Sequence, residues 1–179
     1  MCGRYTLSEM PEWSELHIRI PDDLLLRPRY NAAPGAPQLV VTREPDGQLT
    51  LGELRWGVRS GPRIVQNARR ESLGAPSWRE HVMARCAVPA DGYVEWQKTP
   101  TGKRPLWFRD ATDPGQTLWM AGLVLPDGFV IITTPPSEDV AEVHDRMPAL
   151  LPPSQVETWL RASWPAARAL LAPAPTGSL

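Results

Sequence analysis

The chain has 179 residues, 42% of them hydrophobic, enough for one buried core and short of two. No apolar run approaches the ~20 residues that span a bilayer, and the opening residues MCGRYTLSEMPEW lack a basic region followed by an apolar stretch, so neither a membrane helix nor a secretory signal is expected and a cytoplasmic location is the default. A net charge of −1 and a pI near 6.3 argue against a uniformly basic nucleic-acid binder, although residues 55–70 hold Arg55, Arg59, Arg63, Arg69 and Arg70 with no acidic residue and can be locally cationic.

In chain order, residues 11–20 carry Trp13, Leu16 and Ile20 at near-helical spacing, which predicts a short helix. Residues 28–37 are turn-rich. Apolar runs at 38–43 and 49–56, separated by Asp46-Gly47, predict a hairpin. Ser77 with Glu80 three residues on has the pattern of a capping box, predicting a helix to about Arg85. Residues 86–88 and 92–97 read as strands on either side of Pro89-Ala90-Asp91. Residues 105–109, 117–125 and 129–134 read as three more, the last two joined by an Asp127-Gly128 turn. Ser137 is placed to cap a helix running towards His144. Residues 156–160 and 166–171 have short helical patterns, and 172–179 (APAPTGSL) read as a disordered tail. Strands predominate. The expected fold is α+β, a mainly antiparallel β-sheet or barrel with short inserted helices, spanning 2–160 with a helical extension to about 171.

The cysteines are Cys2 and Cys86, with no C-x-x-C pair, and His17, His81 and His144 match no metal-ligand spacing, so neither a metal nor a cofactor is expected. Cys86, between Arg85 and an apolar run, reads as core packing. Trp78, Trp96, Trp107, Trp119 and Trp159 also read as core, and Trp13 and Trp164 as covers of helix faces. Trp56 opens the cationic stretch and has two readings: a stacking surface for a base, or packing of the hairpin core.

Cys2 follows the initiator methionine. Removal of Met1 would leave one residue carrying both an α-amine and a thiol, whose ordinary pKa values are about 8 and 8.5. Such a pair can condense with an aldehyde: the amine forms an imine, and the thiol closes a five-membered thiazolidine ring. An N-terminal amine beside a nucleophile is also the arrangement of amide hydrolases. An isolated cysteine at position 2 otherwise reads as an ordinary chain end.

Five segments occur in one order: C-G-R-Y from residue 2, R-Y-N-A-A-P at 29–34, Q-N-A-R-R-E-S at 66–72, R-C-A-V-P-A-D-G-Y-V-E-W at 85–96 and H-D-R-M-P at 144–148. Together they resemble the SOS-response-associated peptidase (SRAP) family, over residues 2 to about 152. The resemblance implies an abasic-site sensor acting on single-stranded DNA. It implies Cys2 as nucleophile, Asn67 as an active-site amide, Glu95 as the acid/base carboxylate and His144 as the catalytic histidine, with Arg4, Arg69 and Arg146 contacting DNA. The residue chemistry fits: Glu95 can shuttle the proton that opens the abasic sugar, and His144 can protonate the leaving hydroxyl. Asn67 can position the amine or a developing oxyanion. An imine at C1′ also acidifies C2′, which opens a route to β-elimination or crosslink reversal. Family members commonly have a longer segment between W-G and N-A-R. Here only residues 58–66 separate Trp56-Gly57 from Asn67, and Arg59 and Arg63 are expected to replace its DNA contacts. The expected partner is abasic single-stranded DNA, met by a monomer that associates with the nucleoid on damage. Two other readings of the same residues are a thiol autopeptidase or amidase, and a noncatalytic single-strand-binding module.

Overall fold

A computed structural model describes residues 3–11 and 16–179. Two sheets form its body. The smaller has four strands in the order β10-β9-β1-β2, all antiparallel: β1 (Arg4–Leu7), β2 (Arg29–Ala32), β9 (Gly92–Thr99) and β10 (Gly102–Phe108). The larger has eight strands. Its central path takes in β3 (Pro37–Arg43), β4 (Leu49–Arg55), β8 (Arg85–Ala90), β11 (Leu118–Leu125), β12 (Gly128–Thr134) and β13 (Met147–Pro148). At its margin β14 (Leu150–Leu151) pairs with β11, and β7 (Asn67–Arg69) pairs with β12 in parallel. A separate hairpin joins β5 (Val58–Ser60) to β6 (Arg63–Val65). The expected α+β class holds, and the sheets stay open rather than closing into a barrel.

Alternation along the strands builds the layers, because successive side chains point to opposite faces. Val41, Ala87, Ala121, Leu123, Val130 and Ile132 face one side of the large sheet. There they pack against α3 (Val156–Arg161) and α4 (Trp164–Ala169) through Val156, Trp159, Leu160 and Ala167. Val40, Cys86, Val88, Met120, Phe129 and Ile131 face the other side and meet Tyr5, Ala32 and Tyr93 of the small sheet. The order is helices, large sheet, small sheet. The chain crosses between sheets at Asp91, after β8 and before β9. That buried carboxylate accepts hydrogen bonds from the Thr6 and Ser8 hydroxyls and fixes the crossing.

Several expected elements change. The helix from Ser77 to Arg85 shrinks to α1 (Pro76–Arg79), with Ala75 at the N-cap position making no side-chain cap and proline in its first turn. Residues 80–84 are turns because the chain must reach β8, where Arg85 is already a paired strand residue. The helix expected at 11–20 lies partly outside the described residues; Ile18 to Ile20 are not helical, and Arg19 instead bridges Thr50. Ser137 does precede a helix, α2 (Glu138–Ala141), but makes no side-chain cap, and its N–H donates to Met147 Sδ at 3.2 Å. Residues 172–179 carry no helix or strand; Gly177 N–H donates to the Asp139 carboxylate, and Ala174 and Leu179 pack on the core. Among the described residues no helix is long and apolar enough to cross a membrane.

Arg85 anchors the helical layer to the large sheet. Its buried guanidinium donates to three carbonyls, Trp159 O at 2.6 Å, Val82 O at 2.9 Å and Ala162 O at 2.5 Å, and lies over the Trp159 ring. Trp159 in turn donates its indole N–H to Cys86 O at 2.8 Å. Arg85→Met keeps the volume and orphans those carbonyls. It is expected to lower unfolding free energy by roughly 3 kcal/mol or more, read from urea denaturation.

Candidate active site

Two of the residues singled out from sequence, Glu95 and His144, line one cleft that is built from three directions. Strand β9 brings Glu95, Trp96 and Lys98; the hairpin partner β10 brings Lys103, opposite Lys98; the end of α2 and the turn after it bring residues 141–145. The cleft has a volume of about 630 Å³. Strand β1 pairs Arg4 with Val94. It therefore begins alongside the residue before Glu95, two positions after Cys2. Cys2 itself lies outside the described residues.

Glu95 sits on the inner face of the small sheet, with Tyr5 and Tyr93, and is 1% exposed. Burial disfavours its charged form and pushes its pKa up to about 7, with the Asp145 carboxylate adding to the rise. A carboxyl poised there can carry a proton in either direction near neutrality. His144 lies at the cleft wall. Its Nδ1 accepts a hydrogen bond from Arg146 N–H at 2.9 Å, and the Asp145 carboxylate is 3.0 Å from the same nitrogen. One nitrogen cannot accept from the amide and donate to the carboxylate at once. Burial lowers the His144 pKa, opposed by Asp145, and Lys98 lowers it further. The two contacts suit different forms of the ring: neutral, its Nδ1 accepts from Arg146; as the imidazolium, it donates to Asp145.

Asn67 opens β7, in register with Ile131 of β12. That parallel pairing carries Asn67, Arg69 and Glu71 along the margin of the large sheet towards the 144–148 segment. Arg69 is exposed there. Arg146 takes a different part from the phosphate contact expected. It is 8% exposed and forms a two-pronged ion pair with Glu71, at 3.1 and 3.0 Å, and donates to Thr133 O at 2.6 Å. The guanidinium holds the Glu71 carboxylate below its ordinary pKa. Arg146 is thus a clamp between residues 70–72, β12 and the His144 turn. Glu71 was not singled out from sequence: its partner lies 75 residues away, and no local pattern marks the pair.

Trp56 also resolves to one reading. It is fully buried, its Nε1–H donates to Gln66 O at 2.9 Å and its ring lies 5.2 Å from that of Tyr5, so no face is open to a base. It roots the β5–β6 hairpin, in which Arg59 and Arg63 are exposed. Gly57 makes this compact turn possible: its φ is +93°, and a Cβ there would lie 2.5 Å from Ile64 Cγ2. Arg4 is half-buried in β1 and donates to Gly3 O at 2.7 Å. Cys86 is fully buried and its thiol pKa is raised by burial, which suits packing and not chemistry. Among the described residues no three His, Cys, Asp or Glu side chains are grouped to hold a metal ion.

A sequence profile described as SOS response associated peptidase (SRAP) matches residues 1–179. The abasic site processing protein YoqW of Bacillus subtilis (strain 168) is 34% identical over 186 residues, covering 89% of this chain and 80% of the relative. The abasic site processing protein YedK of Escherichia coli (strain K12) is 32% identical over 184 residues, covering 90% and 80%. Among solved structures, a protein from Bacteroides thetaiotaomicron matches with a TM-score of 0.81 at 25% identity over 99% of this chain and 89% of its own. A phage-related protein from Bordetella bronchiseptica matches with 0.75 at 29% identity over 95% and 87%.

A raised carboxyl has a signature in stability. Folded Glu95 binds its proton more tightly than the unfolded chain does, so its contribution is fully present below pH 4.5 and is lost as pH rises through about 7. Glu95→Gln, which cannot ionise, should match the parent at pH 4.5 and exceed it above pH 7 by on the order of 3 kcal/mol, in urea unfolding across that range.

Proposed function

Because the chain belongs to the SOS response associated peptidase family, whose relatives above are named abasic site processing proteins, we propose that it processes abasic sites in single-stranded DNA by forming a covalent bond through Cys2. The observation that carries this reading is the cleft where buried Glu95, held near neutrality, meets His144 beside the start of β1.

The chemistry balances without a cofactor. An abasic sugar is mostly a ring-closed hemiacetal. Glu95 moves the proton that opens it, giving the C1′ aldehyde. With Met1 removed, the Cys2 α-amine attacks C1′; the His144 imidazolium, paired with Asp145, gives a proton to the departing hydroxyl and recovers one from the nitrogen, and water leaves with formation of the imine. The Cys2 thiolate then adds to the imine carbon and the nitrogen takes up a proton. The product is a thiazolidine, formed with net loss of one water. Asn67 orients the amine or the oxygen. Lys98, Lys103 and exposed Arg69 supply charge for the phosphates beside the lesion. Proton loss from C2′ at the imine stage gives strand cleavage by β-elimination, and hydrolysis of the same imine reverses the crosslink.

A denaturing gel tests this. Protein mixed with a single-stranded oligonucleotide carrying one abasic site should give a slow band, absent with Cys2→Ala and on the undamaged strand. Cleavage of peptides with no DNA adduct would favour the hydrolase chemistry in the family's description. Reversible binding indifferent to Cys2 would favour a noncatalytic module.

A further inference from the structure

Trp107, expected in the core, is 48% exposed on β10, the edge strand of the small sheet. Cross-strand partners share a face, and the register sorts the sheet into two. Tyr5, Tyr93 and Glu95 point inward; Arg4, Val94, Trp96, Lys98, Lys103 and Trp107 occupy the outward face, where none of the paired positions is acidic. The indole of Trp107 is laid across that face. Its Nε1–H donates to Thr6 Oγ1 at 3.2 Å, and it covers Gly92, where a Cβ would fall 2.0 Å from Nε1. Thr6 in turn donates to buried Asp91. Arg109 stacks its guanidinium 4.9 Å from the ring centroid. Three features thus fix one exposed ring that contributes little to the core: a missing side chain, a hydrogen bond and a stacked cation.

We propose that the Trp107–Arg109 pair is a nucleobase-stacking platform that holds the single strand outside the reaction cleft. Exposed aromatic and guanidinium planes stack on any base, and a cationic track follows the phosphates. One face joins cleft and platform: Lys98 and Lys103 line the cleft, and from Lys103 the outward face runs past Pro105 to Trp107, roughly 13 Å at strand rise. The strand's identity rests on the reading of the cleft as an abasic-site reaction centre; the platform itself acts on undamaged nucleotides.

The test compares the full-length parent with Trp107→Ala, Trp107→Phe and Arg109→Glu, each checked by its thermal midpoint. Fluorescence anisotropy on an undamaged mixed-sequence oligonucleotide should show Kd raised about tenfold or more in Trp107→Ala and Arg109→Glu, with most affinity kept in Trp107→Phe. On an oligonucleotide with one nucleotide on each side of an abasic site, too short to reach the platform, adduct yield should equal the parent's. Unchanged binding of the undamaged strand in Arg109→Glu overturns the platform, including where Trp107→Ala weakens binding only with a lowered midpoint. Equal losses on the short and long strands also overturn it, because the effect then lies in the cleft. If the parent forms no adduct on either strand, the reading of the cleft fails, while the undamaged-strand measurement still decides the platform.

Discussion

The buried guanidinium of Arg146 is the joint on which the site depends. It grips Glu71 with two nitrogens and Thr133 O with one, tying the segment after β7, the core strand β12 and the turn after α2 into one unit. Its own backbone N–H donates to His144 Nδ1 and orients the ring. An arginine suits this place because its planar fork satisfies a carboxylate in two-pronged fashion while a third contact is made. Loss of the fork would leave a carboxylate and a carbonyl facing a void and release the histidine from its orientation.

The small sheet divides the remaining work between its faces. Inward, it buries Glu95 among Tyr5 and Tyr93, which keeps the carboxyl near neutrality at a cost in stability once it ionises. Conflicts between local stability and burial of this kind concentrate at functional sites. Outward, the same strands carry arginine, lysine and tryptophan. Strand period two therefore sets the buried carboxyl on one face and the basic and indole side chains on the other, and the pairing of Arg4 with Val94 brings the start of β1 to the seam between them.

What was legible in the sequence followed from local rules. The hairpins β3–β4 and β11–β12 were visible because strand patterning flanks a turn dipeptide, Asp46-Gly47 or Asp127-Gly128, and Gly47 and Gly128 do take positive φ. Glu95 and His144 were found through motif resemblance and share the cleft. Misread residues were those whose environment is set by distant chain. Arg146 looked like a phosphate ligand because Glu71 is 75 residues away, and Trp107 looked like core because the missing Cβ of Gly92 that exposes its seat lies on another strand. The parallel β7–β12 pairing has no local signature at all. The short 58–66 segment looked like a trimmed loop and is a hairpin rooted by Trp56.

In the proposed adduct the amine and the sulfur of Cys2 both bond to one sugar carbon. Intact mass spectrometry of the purified protein–DNA conjugate measures this most directly. The expected mass is that of protein lacking Met1 plus that of the abasic oligonucleotide, less one water, with a Cys2 that does not react with iodoacetamide after denaturation. A conjugate that retains Met1, or one whose Cys2 thiol alkylates freely, would contradict it.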